Sequence, residues 1–235
     1  MNVLISKIIH SPVATFLMLA TIATSISAFQ NQFLKEKFML RPHAFVHRKQ
    51  YFTIITSGLI HADWTHLMMN MFTFYFFAFS LEHYFVYLQC MKIDEVATES
   101  AQRFSTILGH AKFFLIYFIS MIIADFTTII KYKDIPGYAC LGASGAISGL
   151  VMSTIILAPA MGNSIRIWGI LPGWMFGLLY VGYSYYAAKK MQDNVAHEAH
   201  MWGALAGIVF TFILMPSQAW KFILMMQETL YGWMG

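Results

Sequence analysis

Charge is scarce in this sequence. Of its 235 residues only 11% are Asp, Glu, Lys or Arg, against 58% that are hydrophobic. Soluble domains carry roughly 25% charged residues. So few charges cannot cover the surface of a chain this long, which argues against a soluble globular enzyme. The apolar content excludes disorder. Cysteine is scarcer still. Cys90 and Cys140 are widely separated and form no C-x-x-C, which speaks against a disulfide framework and a zinc–thiolate site. Nucleic acid is not an expected partner: 15 Lys+Arg stand against 11 Asp+Glu, and no basic patch carries interleaved aromatics. A net charge of +4 suits a surface of anionic lipid headgroups. With a mean hydropathy of +0.60, the remaining class is an all-α, polytopic membrane protein.

A helix needs about 20 largely apolar residues to cross the hydrocarbon layer. Five stretches lack Asp, Glu, Lys and Arg altogether: Ile8 to Leu34, Trp64 to Leu81, Ile135 to Ile165, Ile167 to Ala188 and Ala199 to Trp220. A sixth, Phe113 to Ile130, holds one charge, Asp125. Six spans in one bundle are therefore expected, with no internal repeat. The first reads as a span rather than a signal peptide ending near Ser25–Ala28, because it is long and only Lys7 precedes it. A single membrane domain is expected over 1–235, with its core at about 10–215, a polar insertion at 84–112 and a tail at 216–235. Residues 33–63 mix charge with aromatics and read as a first loop lying in the interface, with amphipathic pieces. The tail reads as an interfacial helix or a disordered end. With both termini cytoplasmic, six Lys+Arg fall inside and nine outside, so charge bias alone favours the reverse orientation.

Three segments carry the groups suited to chemistry. Leu141-Gly142-Ala143-Ser144-Gly145-Ala146 opens the fourth span. Flanking glycines permit a tight turn, and a serine at a helix N-terminus meets free N–H groups that favour developing negative charge. The plain alternative is small-residue helix packing. Ala196-His197-Glu198-Ala199-His200-Met201-Trp202-Gly203 opens the sixth span. A histidine at the mouth of a membrane helix is costly without a partner. Gly145 and Gly149 form one small-xxx-small face, Gly203 and Gly207 another, and two such faces let helices approach closely. That approach gives Ser144 a neighbouring base, which a weak hydroxyl nucleophile needs. The second span opens with His61, His66 and Asn70. His66 and Asn70 share a helix face and offer N–H donors of the sort an oxyanion requires; a polar pair bonding between helices is the plain alternative. A metal site built from His61, His66, His197 and His200 is not expected, because the zincin spacing HExxH is absent.

Taken together, His61-x4-His66-x3-Asn70, Gly142-Ala-Ser144-Gly145 and Ala199-His200-x2-Gly203-x3-Gly207 resemble the rhomboid family of intramembrane serine proteases. The resemblance covers about residues 10–215. It implies a six-transmembrane-helix rhomboid-like bundle with an interfacial first loop. It also implies Ser144 as nucleophile and His200 as general base and then acid. The oxyanion hole would be formed by His66, Asn70 and the backbone N–H of Ser144, and Gly142, Gly145, Gly203 and Gly207 would support the packing. No cofactor or metal is implied. The partners implied are transmembrane protein substrates and the lipid bilayer. The site would open to the non-cytoplasmic side, with the fifth span as a gate, and a bacterial cytoplasmic membrane is the expected location. The alternative is a catalytically inactive rhomboid-like protein that binds membrane clients. A transporter is disfavoured because inverted repeats are not seen.

Two departures from the family pattern stand out. Tyr51-Phe52-Thr53 replaces the Trp-Arg pair of the first loop, and Ser148 replaces an aromatic four residues after the serine. Glu82 is expected to anchor the first loop, and Asp125 to face the bundle and bond a neighbour. His197, Asp63, Asp193 and Glu198 are expected to be solvated loop groups. Gly169, Gly173 and Gly177 are expected to form a packing face or to ease movement of the gate.

Overall fold

The computed structural model describes residues 8–92, 98–161, 166–167, 171–191 and 195–234. Lys7, Gly169 and Asp193, and part of the insertion including Asp94 and Glu95, lie outside the described residues. Among the described residues the regular structure is helical apart from a two-residue antiparallel ladder, Arg166–Ile167 with Leu171–Pro172, and an isolated bridge between Leu40 and Cys140.

Helix α1 (Pro12–Gln30) starts on a proline, whose missing N–H costs nothing at a helix start. The next two N–H groups need acceptors, and Glu82 supplies them: Val13 N donates to Oε1 at 3.1 Å and Ala14 N to Oε2 at 2.7 Å. Glu82 thus anchors the start of the first helix, not the first loop. The first loop folds into short helices α2 (Gln32–Phe38), α3 (Pro42–His47) and α4 (Thr53–Thr56), then a 3₁₀ turn, Ser57–Leu59. Leu40 pairs with Cys140 through two backbone hydrogen bonds of 3.0 and 2.9 Å, which ties the loop to the segment just before Ser144.

Helix α5 (Trp64–Cys90) is capped by Asp63, which accepts from the N–H of His66 at 2.8 Å. Helix α6 (Glu99–Tyr132) is capped by Thr98. These two helices absorb most of the polar insertion. Glu99 and Arg103 pair one turn apart on α6 at 2.5 Å. His110 reaches Glu82 at 2.6 Å. Lys112 donates to the Leu214 carbonyl at 2.9 Å and so closes the end of a distant helix.

Helix α7 (Ser144–Leu157) is short and central: every residue from Gly145 to Leu157 is buried. It packs against α5, α6 and α9 (His197–Leu214). Helix α8 (Gly173–Lys190) lies chiefly against α9. Gly177 faces α7, where an added Cβ would sit 2.7 Å from Met152 Cε. The tail is helical as well. Helix α10 (Pro216–Met234) turns 115° away from α9.

Among the described residues two helices, α1 and α6, are long and apolar enough to cross a membrane, or up to three if the bent α9–α10 pair forms one span. The chain is therefore an integral, multi-pass membrane protein. The charge-free stretch 135–165 does not become one long span. The segment before Leu141 is non-helical apart from a turn, and α7 ends at Leu157, just before Pro159.

Candidate active site

Ser144 is the first residue of α7, and the turn before it is fixed from two sides. Gly142 has φ of 117°, which a residue with a Cβ adopts only under strain. It also has no room for one: a Cβ there would sit 2.6 Å from His66 Cε1 and 2.8 Å from His66 Nε2. The N–H of Gly142 donates to the Ser57 carbonyl at 2.9 Å. The N–H of Ala143 donates to His61 Nε2 at 3.5 Å.

That second contact sets the state of His61. A neutral imidazole has one donor and one acceptor nitrogen. With Nε2 accepting, the proton lies on Nδ1, which donates to Ser25 Oγ at 3.0 Å. The Ser25 hydroxyl in turn donates to the Leu59 carbonyl at 3.1 Å. His61 is fully buried, and burial, helped by the neighbouring His66, pushes its pKa down to about 3. It is a neutral strut between the first helix and the serine turn.

Helices α7 and α9 meet backbone to backbone. A Cβ on Gly203 would collide with the Gly145 carbonyl, and one on Gly207 with the Gly149 carbonyl. Farther along, Thr211 Oγ1 donates to Ser153 Oγ at 2.7 Å. The close approach brings His200, on the first turn of α9, to Ser144: His200 Nε2 lies 2.8 Å from Ser144 Oγ. Both residues are half-buried.

His66 and Asn70 stand one turn apart on α5. His66 Nδ1 accepts the N–H of Ala62 at 3.5 Å, which leaves the ring proton on Nε2 as a donor, and the ring lies over Gly142. Asn70 Nδ2 donates to the His66 carbonyl at 2.9 Å. One of its two amide protons is thus held within its own helix, so Asn70 offers fewer donors than its residue type suggests.

His197 and Glu198 differ from expectation. His197 is not a solvated loop residue: it is the first residue of α9, 8% exposed, with its ring edge-on to those of Tyr183 and His200 at 5.9 and 6.1 Å. Glu198 lies in the first turn of α9 and pairs with Lys131 of α6 at 2.5 Å. Asp63 is an exposed helix cap rather than a free loop charge. Asp125 does bond a neighbour, accepting from Ser57 Oγ at 2.9 Å.

Two contacts had no signal in the sequence. Ser148 Oγ donates to the Ser144 carbonyl at 2.8 Å and lies 2.6 Å from the Tyr180 hydroxyl on α8. An aromatic does stand beside this position, but it comes from another helix. His61 was visible only as part of a spacing; its role depends on Ser25 and Ala143, which are far away in sequence.

A hydroxyl in contact with an imidazole nitrogen, at the N-terminus of a helix and near an imidazole N–H donor, is equipped for nucleophilic acyl transfer. Residues 48–217 match the family model described as the Rhomboid domain. RHOMBOID-like protein 12, mitochondrial, of Arabidopsis thaliana is 25% identical over 185 residues, covering 77% of this chain and 51% of that protein. The chain thus spans about half the length of this curated relative.

Proposed function

The chain belongs to the rhomboid family, and from that premise we propose that it is an intramembrane serine protease that cleaves peptide bonds in or near transmembrane segments of other membrane proteins. The observation that carries this reading is the 2.8 Å contact between Ser144 Oγ and His200 Nε2. It lies at the meeting of two glycine-faced helices in a chain that carries the family's domain.

In this mechanism His200 Nε2 takes the Ser144 proton as Oγ attacks the scissile carbonyl. The oxyanion receives hydrogen bonds from the Ser144 N–H, His66 Nε2–H and an Asn70 N–H. His200 then returns its proton to the departing amine. Water, deprotonated by the same histidine, hydrolyses the acyl-enzyme and regenerates Ser144. The substrate helix must unwind locally to expose its amide, so small or helix-breaking residues near the cut lower the cost. The scheme uses no cofactor. The six-span arrangement, a site open to the non-cytoplasmic side, α8 as the substrate gate and residence in a bacterial cytoplasmic membrane belong to the same proposal.

A fluorophosphonate probe tests it. The wild-type chain should label, Ser144→Ala should not, and His200→Ala should label far more slowly. Cleavage of a transmembrane substrate should fall about 10⁴-fold or more in either variant. A folded Ser144→Ala chain that cleaves as fast as wild type would remove the catalytic assignment.

A further inference from the structure

The torsion that turns an imidazole about its own axis is broad, with no sharp preferred angle. The ring of His200 therefore needs neighbours to keep Nε2 on the Ser144 hydroxyl, 2.8 Å away. A misplacement of about 1 Å in a reacting group can cost about 10²-fold in rate. Helical side chains lean back toward the N-terminus, so His200 leans over the turn that begins with His197. The two rings meet nearly at right angles, 82°, with centroids 6.1 Å apart. His197 is met in turn by Tyr183 of α8, at 89° and 5.9 Å. Edge-to-face pairs of this kind are attractive and directional. Tyr183, His197, His200 and Ser144 thus form a row across α8, α9 and α7. It runs inward from a ring that is 52% exposed to one that is 8% exposed, and then to the reacting pair. Ser148, one turn into α7, contributes no ring; its hydroxyl bonds the Ser144 carbonyl and meets that of Tyr180. The first turn of α9 is also tied to α6, through Glu198 and Lys131 at 2.5 Å.

We propose that His197 is a positioning residue, whose ring, braced by Tyr183, fixes the orientation of His200 toward Ser144. The inference rests on the protease reading and adds a residue to it. His197 exchanges no proton with the substrate; it acts through His200. Its effect therefore falls on kcat and on the reactivity of Ser144, not on substrate binding. Because the brace stands on α8, a shift of that helix away from α9 takes Tyr183 from His197 and loosens the catalytic ring.

The full chain in vesicles, cleaving a synthetic single-span peptide and labelling with fluorophosphonate, tests this. His197→Ala should lower kcat about 10- to 100-fold and leave KM within about twofold of wild type. Labelling should slow by a similar factor. His197→Phe restores a ring that carries no proton, and should keep kcat within about threefold of wild type. Tyr183→Ala should lower kcat and the labelling rate about three- to tenfold with no change in thermal midpoint, and Tyr183→Phe should match wild type. A folded His197→Ala chain with wild-type kcat overturns the proposal. So does a rise in KM alone, which marks a substrate contact, and so does a folded His197→Phe chain as slow as His197→Ala, which marks a proton carrier. If His197→Ala does not fold, Tyr183→Ala decides: wild-type kcat and labelling there overturn the proposal. A wild-type chain that neither labels nor cleaves overturns the protease reading itself, and this proposal with it.

Discussion

The hydroxyl of Tyr180 lies 2.6 Å from that of Ser148, and this pair joins the loosely attached helix α8 to the helix that begins at Ser144. Ser148 passes the link on to the Ser144 carbonyl. The bond is therefore part of what holds α8 against the site.

Tyr180→Phe removes that link and little else. Stability should fall by about 0.5–1.5 kcal/mol, read as a lower thermal midpoint in detergent. If α8 is the gate, cleavage of a full transmembrane substrate should speed up, while labelling by a small fluorophosphonate stays near wild type. Equal slowing of both reactions would instead mark Tyr180 as a support for Ser144.

His61 makes the fold sensitive to acid. Its folded pKa, about 3, lies below the ordinary value of about 6.5, so between these values the unfolded chain binds the extra proton. The stability it contributes is complete above pH 6.5 and drains away as pH falls toward 3, by up to about 1.4 kcal/mol per pH unit. His61→Gln does not titrate there. Its unfolding midpoint should fall less steeply from pH 6.5 to 4 than that of wild type, and parallel curves would refute the claim.

Gly203→Ala places a methyl group against the Gly145 carbonyl. Such overpacking costs about 1–3 kcal/mol, and spreading the helices lengthens the Ser144–His200 contact, so activity should fall more than stability. Gly182→Ala is the control. No atom lies within 4 Å of its added Cβ, and relief of the helical glycine penalty should stabilise the chain by about 0.5–1 kcal/mol.

Glu82→Ala leaves the part-buried N–H of Val13 and the buried N–H of Ala14 without their acceptor. Each such loss costs about 1–3 kcal/mol. The variant should lose protection from hydrogen exchange first at the start of α1, before any change at α7.

The sequence displayed its helical class plainly, because scarce charge and long apolar runs leave few alternatives. The glycine pairs were legible too, since a four-residue spacing marks one helix face. Helix ends were not. Residues 84–112 look like a polar connection, yet α5 and α6 run on through most of them, because pairs such as Glu99–Arg103 and His110–Glu82 satisfy the charges. His197 was misread for a similar reason: it is buried at the start of α9 and meets edge-on the ring of Tyr183, a neighbour supplied by another helix. Spacing reveals which residues share a face. It does not reveal who stands opposite.

If α7 stands upright with its far end at one face of the membrane, its shortness sets a depth. Fourteen residues rise about 21 Å at 1.5 Å each, against a hydrocarbon layer of about 30 Å. A helix that starts at Ser144 and ends near one face of the membrane leaves its hydroxyl roughly 9 Å beneath the other. For an enzyme that cuts membrane helices, the severed bond would then lie about six residues inward from the substrate's entry into lipid, and the freed end would need to be drawn out of oil before it met water.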